Sequence, residues 1–236
     1  VLFRSYAVYH YLQHEFFGMK QNRNIMRGHI SSLGNRLWTL PLRFYIGILW
    51  LIEGLKKLVG EGTWDAAWDA LLQKGEFAFT IGSDSWIKAG NVKMPFEWLY
   101  DAVSSASQAG DAATTFAEPI LKEMPNFYES IMQIFIPNPD VAVFFQTIVV
   151  ATEIGIGLAL IAGLFTWLAS AASAFMVINF VLSAMAGWDI LWFFFGSIAL
   201  MNGSGRTFGL DHYVLPWINK VVGDFWVGGK GHIYKK

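Results

Sequence analysis

The 236-residue chain has no cysteine. That excludes a disulfide framework, a thiolate metal site, an iron–sulfur centre and a thiol nucleophile together. Charge is scarce too: Asp, Glu, Lys and Arg make up 15% of the residues, against about 25% in an average soluble domain. The formal net charge of −1 removes nucleic acid as a bulk electrostatic partner. Disorder is excluded as well, because 54% hydrophobic and 17% aromatic residues reverse the composition that keeps a chain unfolded. His10, His14, His29, His212 and His232 show no metal-ligand clustering. No internal repeat and no Ser-His-Asp grouping emerges.

What the sequence does have is long apolar runs. Residues 38–59, 141–163, 164–188 and 190–203 approach the roughly 20 helical residues needed to cross a hydrocarbon core of about 30 Å, the last being the shortest. The expected fold is an all-α membrane protein, a bundle of four transmembrane helices. Pro41 falls near the start of the first run, where a helix tolerates its missing N–H. Arg4, Lys20, Arg23, Arg27 and Arg36 precede the first run, and Arg206, Lys220, Lys230, Lys235 and Lys236 follow the fourth. This excess of bases places both termini in the cytoplasm. Residues 60–140 hold twelve acids and four bases and are expected on the outer side.

That outer stretch is expected to be a helical insertion. Trp64, Trp68, Leu71 and Leu72 recur at helical spacing among small and acidic residues, which suits an amphipathic helix against the membrane or the bundle. Five prolines, from Pro95 to Pro139, divide the rest into short helices, with residues 102–116 forming a partly exposed one. Residues 6–17 and 212–226 read as interfacial helices on the cytoplasmic side.

Ionisable groups within hydrocarbon are costly, about 2.5–3.5 kcal/mol at a helix centre on insertion scales, and are functional candidates by default. Arg43, Gly47, Trp50, Gly54 and Lys57 share one stripe of the first run, the glycines permitting close helix packing. Glu53 precedes Lys57 by four and can pair with it, either as simple neutralisation or as part of a site. Glu153 lies near the middle of the second run, on the face of Gln146 and Gly157, with no cation in its own helix. Arg43 is its expected partner, because the two are placed at similar depth and Arg has the reach. The pair is either a clamp between helices or a proton-handling site. Asn179 with Ser183 adds a polar stripe on the third run. After the fourth run, Gly203, Gly205 and Gly209 narrowly miss a GxGxxG loop and follow an apolar helix rather than a strand, so no dinucleotide site is assigned. Arg206 and Asp211 can pair there.

These features resemble the DoxX family of small four-helix membrane proteins. The resemblance is carried by Arg43 with Gly47, by Gly54-Leu55-Lys56-Lys57, by Glu153-Ile154-Gly155-Ile156-Gly157, and by Gly203-Ser204-Gly205-Arg206 with Gly209-Leu210-Asp211. It covers residues 38–211, interrupted by the insertion at 60–140, with residues 212–236 left as a cytoplasmic tail. A second resemblance lies in Asn22-Arg23-Asn24, Arg27-Gly28-His29 and Gly34-Asn35 before Leu37-Trp38. They look similar to the junction in bacterial fusion proteins where a type II NADH dehydrogenase runs into a DoxX-like membrane domain. Val1-Leu2-Phe3-Arg4-Ser5 matches the translation of a common sequencing adapter, so residues 1–5 are expected to be artefact. Residues 1–37 are then expected to be the remnant of an upstream flavoprotein domain.

The resemblance implies a parent enzyme that takes hydride from NADH onto FAD and passes electrons to a quinone. FAD and NADH are expected upstream, none of their binding residues being present here. Glu153 and Arg43 are the proposed proton and quinone-handling residues, with Glu53, Lys57, Trp50, Gln146 and Asn179 lining the cavity. Gly47, Gly54, Gly157, Arg206 and Asp211 are expected to be structural. The lipid bilayer, a quinone and the flavoprotein domain are the expected partners. The alternatives are a purely structural membrane anchor and, with less support, a small-solute carrier.

Overall fold

The computed structural model describes residues 32–76, 80–101, 104–201, 204–206 and 208–222. The expected helix at 6–17, the junction at 22–31 and the glycine at 203 lie outside the described residues. Among the described residues the chain is helical, without a strand. In chain order the helices are α1 (Ser32–Val59), α2 (Glu61–Lys74), α3 (Phe96–Tyr100), α4 (Ser105–Thr115), α5 (Asn126–Phe135), α6 (Pro139–Ala162), α7 (Thr166–Leu182), α8 (Leu191–Leu200) and α9 (Asp211–Val222).

Local chemistry sets several of these boundaries. Asn138 caps α6 through its side-chain oxygen, which accepts from the Val141 N–H at 3.0 Å, and Pro139 opens the helix. Gly163 closes it in the left-handed conformation, φ 64°, which a residue without a Cβ adopts freely. Ser104 caps α4 in the same way as Asn138 caps α6. The boundary of α1 differs from the expected one. The helix begins at Ser32, so Pro41 lies inside it and leaves one carbonyl without its intrahelical donor.

Of the four expected spans, α6 is long and apolar enough to cross a membrane among the described residues. α1 is longer, but its charged and aromatic residues keep it short of that apolarity. α7 has 17 residues and residues 188–200 follow as a short 3₁₀-helix and α8. At 1.5 Å per residue these reach roughly 26 Å and 20 Å. The expected third span ran to 188. It ends earlier because Ala184, at φ 59°, turns the chain out of the helix.

Two packed cores result. The first gathers Ile46 and Trp50 from α1, Ile156 and Leu160 from α6, Ala169, Met176 and Val177 from α7 and Leu200 from α8. The second gathers Phe96, Trp98 and Leu99 from α3, Met124, Tyr128 and Ile136 around α5, Ala142 from α6 and Ala184. The insertion at 60–140 is therefore a second layer seated on one end of the bundle. Gln108 of α4, expected to lie on a partly exposed helix, is buried, and its side-chain oxygen accepts from the Met124 N–H at 3.1 Å. The Ile120 N–H donates to the Ala186 carbonyl at 3.0 Å, tying the layer to the α7–α8 turn. In α2, Trp64 is buried while Trp68 and Leu72 are exposed.

Candidate functional site

The site begins with the seam between α1 and α6, which run antiparallel. A Cβ on Gly157 would lie 2.6 Å from the Leu51 nitrogen and 2.8 Å from the Gly47 carbonyl oxygen. One on Gly54 would lie 2.9 Å from the Ile154 nitrogen and 3.1 Å from the Glu153 Cβ. These three glycines let the backbones meet where side chains would hold them apart. The close approach at Gly54 delivers Glu153 to Lys57 of the next turn. The Lys57 Nζ donates to Glu153 Oε1 in a short ion pair.

The pair is enclosed. Glu153 is fully buried, and the Lys57 side chain is 14% exposed. The Lys57 ammonium lies 5.1 Å from the centre of the Phe180 ring of α7 and 5.3 Å from that of Trp86 in the insertion. Both rings present faces that attract a cation. Trp86 is held there by its own N–H, which donates to the Lys57 carbonyl at 3.0 Å. Glu153 Oε2 is buried without a hydrogen-bond partner among the described residues. A carboxylate with one oxygen paired and one bare is equipped to take up or give up a proton at the bare oxygen.

Two expected pairings are corrected here. Glu153 meets Lys57, not Arg43. The antiparallel register sets Gly54 beside Ile154 and Arg43 beside Gly163, so the fourteen residues from Arg43 to Lys57 separate the two centres by roughly 21 Å along α1. Glu53 in turn pairs with Lys56 at 3.3 Å, not with Lys57, since Lys57 faces α6. With side chains 46% and 34% exposed, the Glu53–Lys56 pair is worth little to stability.

Arg43 builds a second centre at the other end of the bundle. It is fully buried, and its guanidinium donates to the Ser204 carbonyl and to the Phe208 carbonyl, each at 2.9 Å. Asp211 completes this end as the cap of α7. Its carboxylate accepts from the Phe165 N–H at 2.6 Å, the Thr166 N–H at 3.0 Å and the Thr166 hydroxyl at 2.7 Å. The Asp211 N–H donates back to the Gly163 carbonyl at 2.9 Å. Gly205 and Gly209 press against Thr166 and Gly163 so closely that a Cβ on either would collide. The glycines after α8 are thus a packing device, and Arg206 lies in the adjoining 3₁₀ turn.

The other candidates divide. Trp50 Nε1 donates to Ser173 Oγ at 2.6 Å, which shares a second bond of 2.6 Å with Ser197 Oγ, so α1, α7 and α8 meet in one polar line. Trp50 also packs edge-on against Phe193. Gln146 is spent on the insertion: its oxygen accepts from the Lys93 N–H at 2.7 Å, and its nitrogen donates to the Trp86 and Asn91 carbonyls at 2.9 and 3.1 Å. It anchors the loop that carries Trp86. Asn179 accepts from the Tyr128 hydroxyl at 3.1 Å and donates to the Phe175 carbonyl at 2.8 Å. Burial raises the Tyr128 pKa above its ordinary value, so the hydroxyl remains a neutral donor.

Sequence reasoning missed Trp86, Phe180, Ser173, Ser197 and Tyr128. The two serines each sit in an apolar helix, Ser173 in α7 and Ser197 in α8, and could have been marked by that alone. No group of three or more His, Cys, Asp or Glu able to hold a metal occurs among the described residues.

No curated protein and no solved structure matches this chain. Residues 113–186 match the DoxX family model, a stretch that runs from the end of α4 through α7 and includes Gln146, Glu153, Gly157 and Asn179. It supports the expected resemblance over 141–186, also takes in residues 113–140 of the stretch expected to be an insertion, and leaves Arg43, Trp50, Glu53, Lys57, Arg206 and Asp211 outside. The DoxX match at 113–186 and the apolar α6 within it point to membrane association.

Proposed function

We propose that residues 38–211 form a four-helix membrane domain serving an NADH:quinone oxidoreductase, with both termini cytoplasmic and the insertion outside. In this reading it anchors the flavoprotein domain, and the Lys57–Glu153 pair handles protons for the quinone. The observation that carries the reading is the enclosed Lys57–Glu153 pair with its bare carboxylate oxygen. Breaking such a pair is expensive, about 3–5 kcal/mol, and replacing it by apolar residues is often neutral, so stability alone does not account for it. Reduction of a quinone to a quinol takes up two electrons and two protons. Glu153 takes up a proton at its bare Oε2 from water and passes it to a quinone oxygen, while the Lys57 ammonium stabilises negative charge developing on that oxygen. Glu153 is then reloaded from water and supplies the second proton in the same way. Electrons would come from a flavin reduced by NADH in the dehydrogenase part of such an enzyme.

A second reading, a purely structural anchor, draws on Arg43, since that buried cation already serves to join loops. Glu153→Gln in the complete enzyme separates the two. Under the proposed function it cuts quinone reduction while NADH oxidation by a soluble dye stays unchanged. Equal loss of both activities, or loss of neither, refutes the proton-handling role. A lowered melting temperature without selective loss of quinone turnover favours the anchor.

A further inference from the structure

α5 has three faces rather than two. Tyr128 and Met132 turn inward to the second core. Asn126, Glu129, Ser130 and Gln133 form a polar face. Between them Phe127, Ile131, Ile134 and Phe135 are 60%, 49%, 77% and 56% exposed, within an apolar arc about 100° wide. Four large apolar side chains on ten residues are more than the scattered surface hydrophobics of a soluble protein.

We infer that this face rests in the outer leaflet of the lipid bilayer, so that the insertion is a membrane-seated cap and α5 its interfacial helix. Three observations select lipid as the occupant. The apolar face ends at Ile134 and Phe135, with three residues between it and the start of α6, whose first turns expose Phe144 and Ile148 in their turn. The exposed Trp188 and Trp192 stand at the same end of the bundle, as interfacial aromatic belts do. The polar face lies on the flank away from the core, where a helix lying in the interface turns its hydrophilic side to water. The inference rests on the membrane reading above and adds a second point of attachment to it.

The absence of native cysteine makes the test direct. Ser130→Cys, Ile131→Cys and Ile134→Cys, each labelled with an environment-sensitive fluorophore, are compared in the full-length protein in vesicles of phosphatidylcholine and phosphatidylglycerol. The expected result is a blue-shifted emission at 131 and 134 that is lost on adding lipids with headgroup-proximal nitroxides. At 130 the label emits as in water and is quenched by iodide. Iodide quenching of all three labels without lipid quenching overturns the inference. So does protection at 131 and 134 from both quenchers, which indicates a second protein surface. Alkaline carbonate extraction of the same samples tests the four-span reading separately: a protein stripped from the vesicles refutes that reading, whereas a retained protein with water-exposed labels refutes the role of α5.

Discussion

Gly155 and Gly157 lie two residues apart on α6 and face opposite fates on substitution by alanine. Gly155 is exposed, and a Cβ there meets nothing within 4 Å. Alanine should therefore give the full helix-propensity gain, about 0.8–1 kcal/mol. A Cβ on Gly157 would sit 2.6 Å from the Leu51 nitrogen and 2.8 Å from both the Gly47 oxygen and the Leu51 Cβ. Two of these atoms are backbone, so no rotamer change relieves the contact, and α1 must move away from α6. Overpacking of this kind costs about 1–3 kcal/mol, which outweighs the same propensity gain. The propensity gain is common to both, so the two variants should differ by the packing cost, about 1–3 kcal/mol, with Gly155→Ala the more stable. In a chain of this size each kcal/mol moves the melting temperature by about 2–4 °C. Intrinsic tryptophan fluorescence during heating in detergent measures the difference. A Gly157→Ala protein as stable as Gly155→Ala would refute the close α1–α6 seam and the placement of Glu153 beside Lys57 that follows from it.

Lys57→Met should destabilise by about 3–5 kcal/mol, because it strands a buried carboxylate, and Lys57→Met with Glu153→Leu should recover most of that loss; chemical denaturation of the three proteins in detergent checks the order. Asp211→Ala removes the acceptor of three hydrogen bonds at the start of α7 and should lower stability by about 2 kcal/mol or more, read from the same denaturation curves. At Asp84, burial opposes the charge, yet hydrogen bonds from the Gly62 N–H and the Thr63 hydroxyl, with Lys93 nearby, hold its pKa below the ordinary carboxylate value. Its stabilising contribution is therefore complete above the unfolded value of about 3.9 and fades as pH falls through the lower folded value. The melting-temperature gap between the parent and Asp84→Asn should be constant above about pH 5 and close below it; a gap that widens toward acid would contradict the stabilisation of the Asp84 carboxylate by these hydrogen bonds.

The apolar runs and the stripe on α1 made the helices and their packed face legible in the sequence. Gly47, Gly54 and Gly157 all fall on the seam where their spacing put them. Partner identity was not legible, for reasons particular to each residue. The acceptors of Arg43 are the carbonyls of Ser204 and Phe208, and a backbone carbonyl leaves no mark in a sequence. Glu153 was matched to the wrong cation because depth was counted without the antiparallel register that Gly54 and Ile154 fix. Gln146 shares the face of Glu153 as expected, but the loop it binds lies more than fifty residues away, at 86–93. The length of α7 was misread because Ala184, not a glycine, takes up a left-handed turn.

The Arg43 clamp bears on how the protein is made. Its acceptors lie 161 and 165 residues further along the chain, beyond α8. Under the four-span reading, α1 is threaded into the bilayer with an arginine whose binding site has not yet been synthesised. Nor can the Asp211 cap of α7 close before the chain has been made as far as residue 211. A chain cut short before residue 204 lacks both the Ser204 and the Phe208 carbonyls that accept from Arg43.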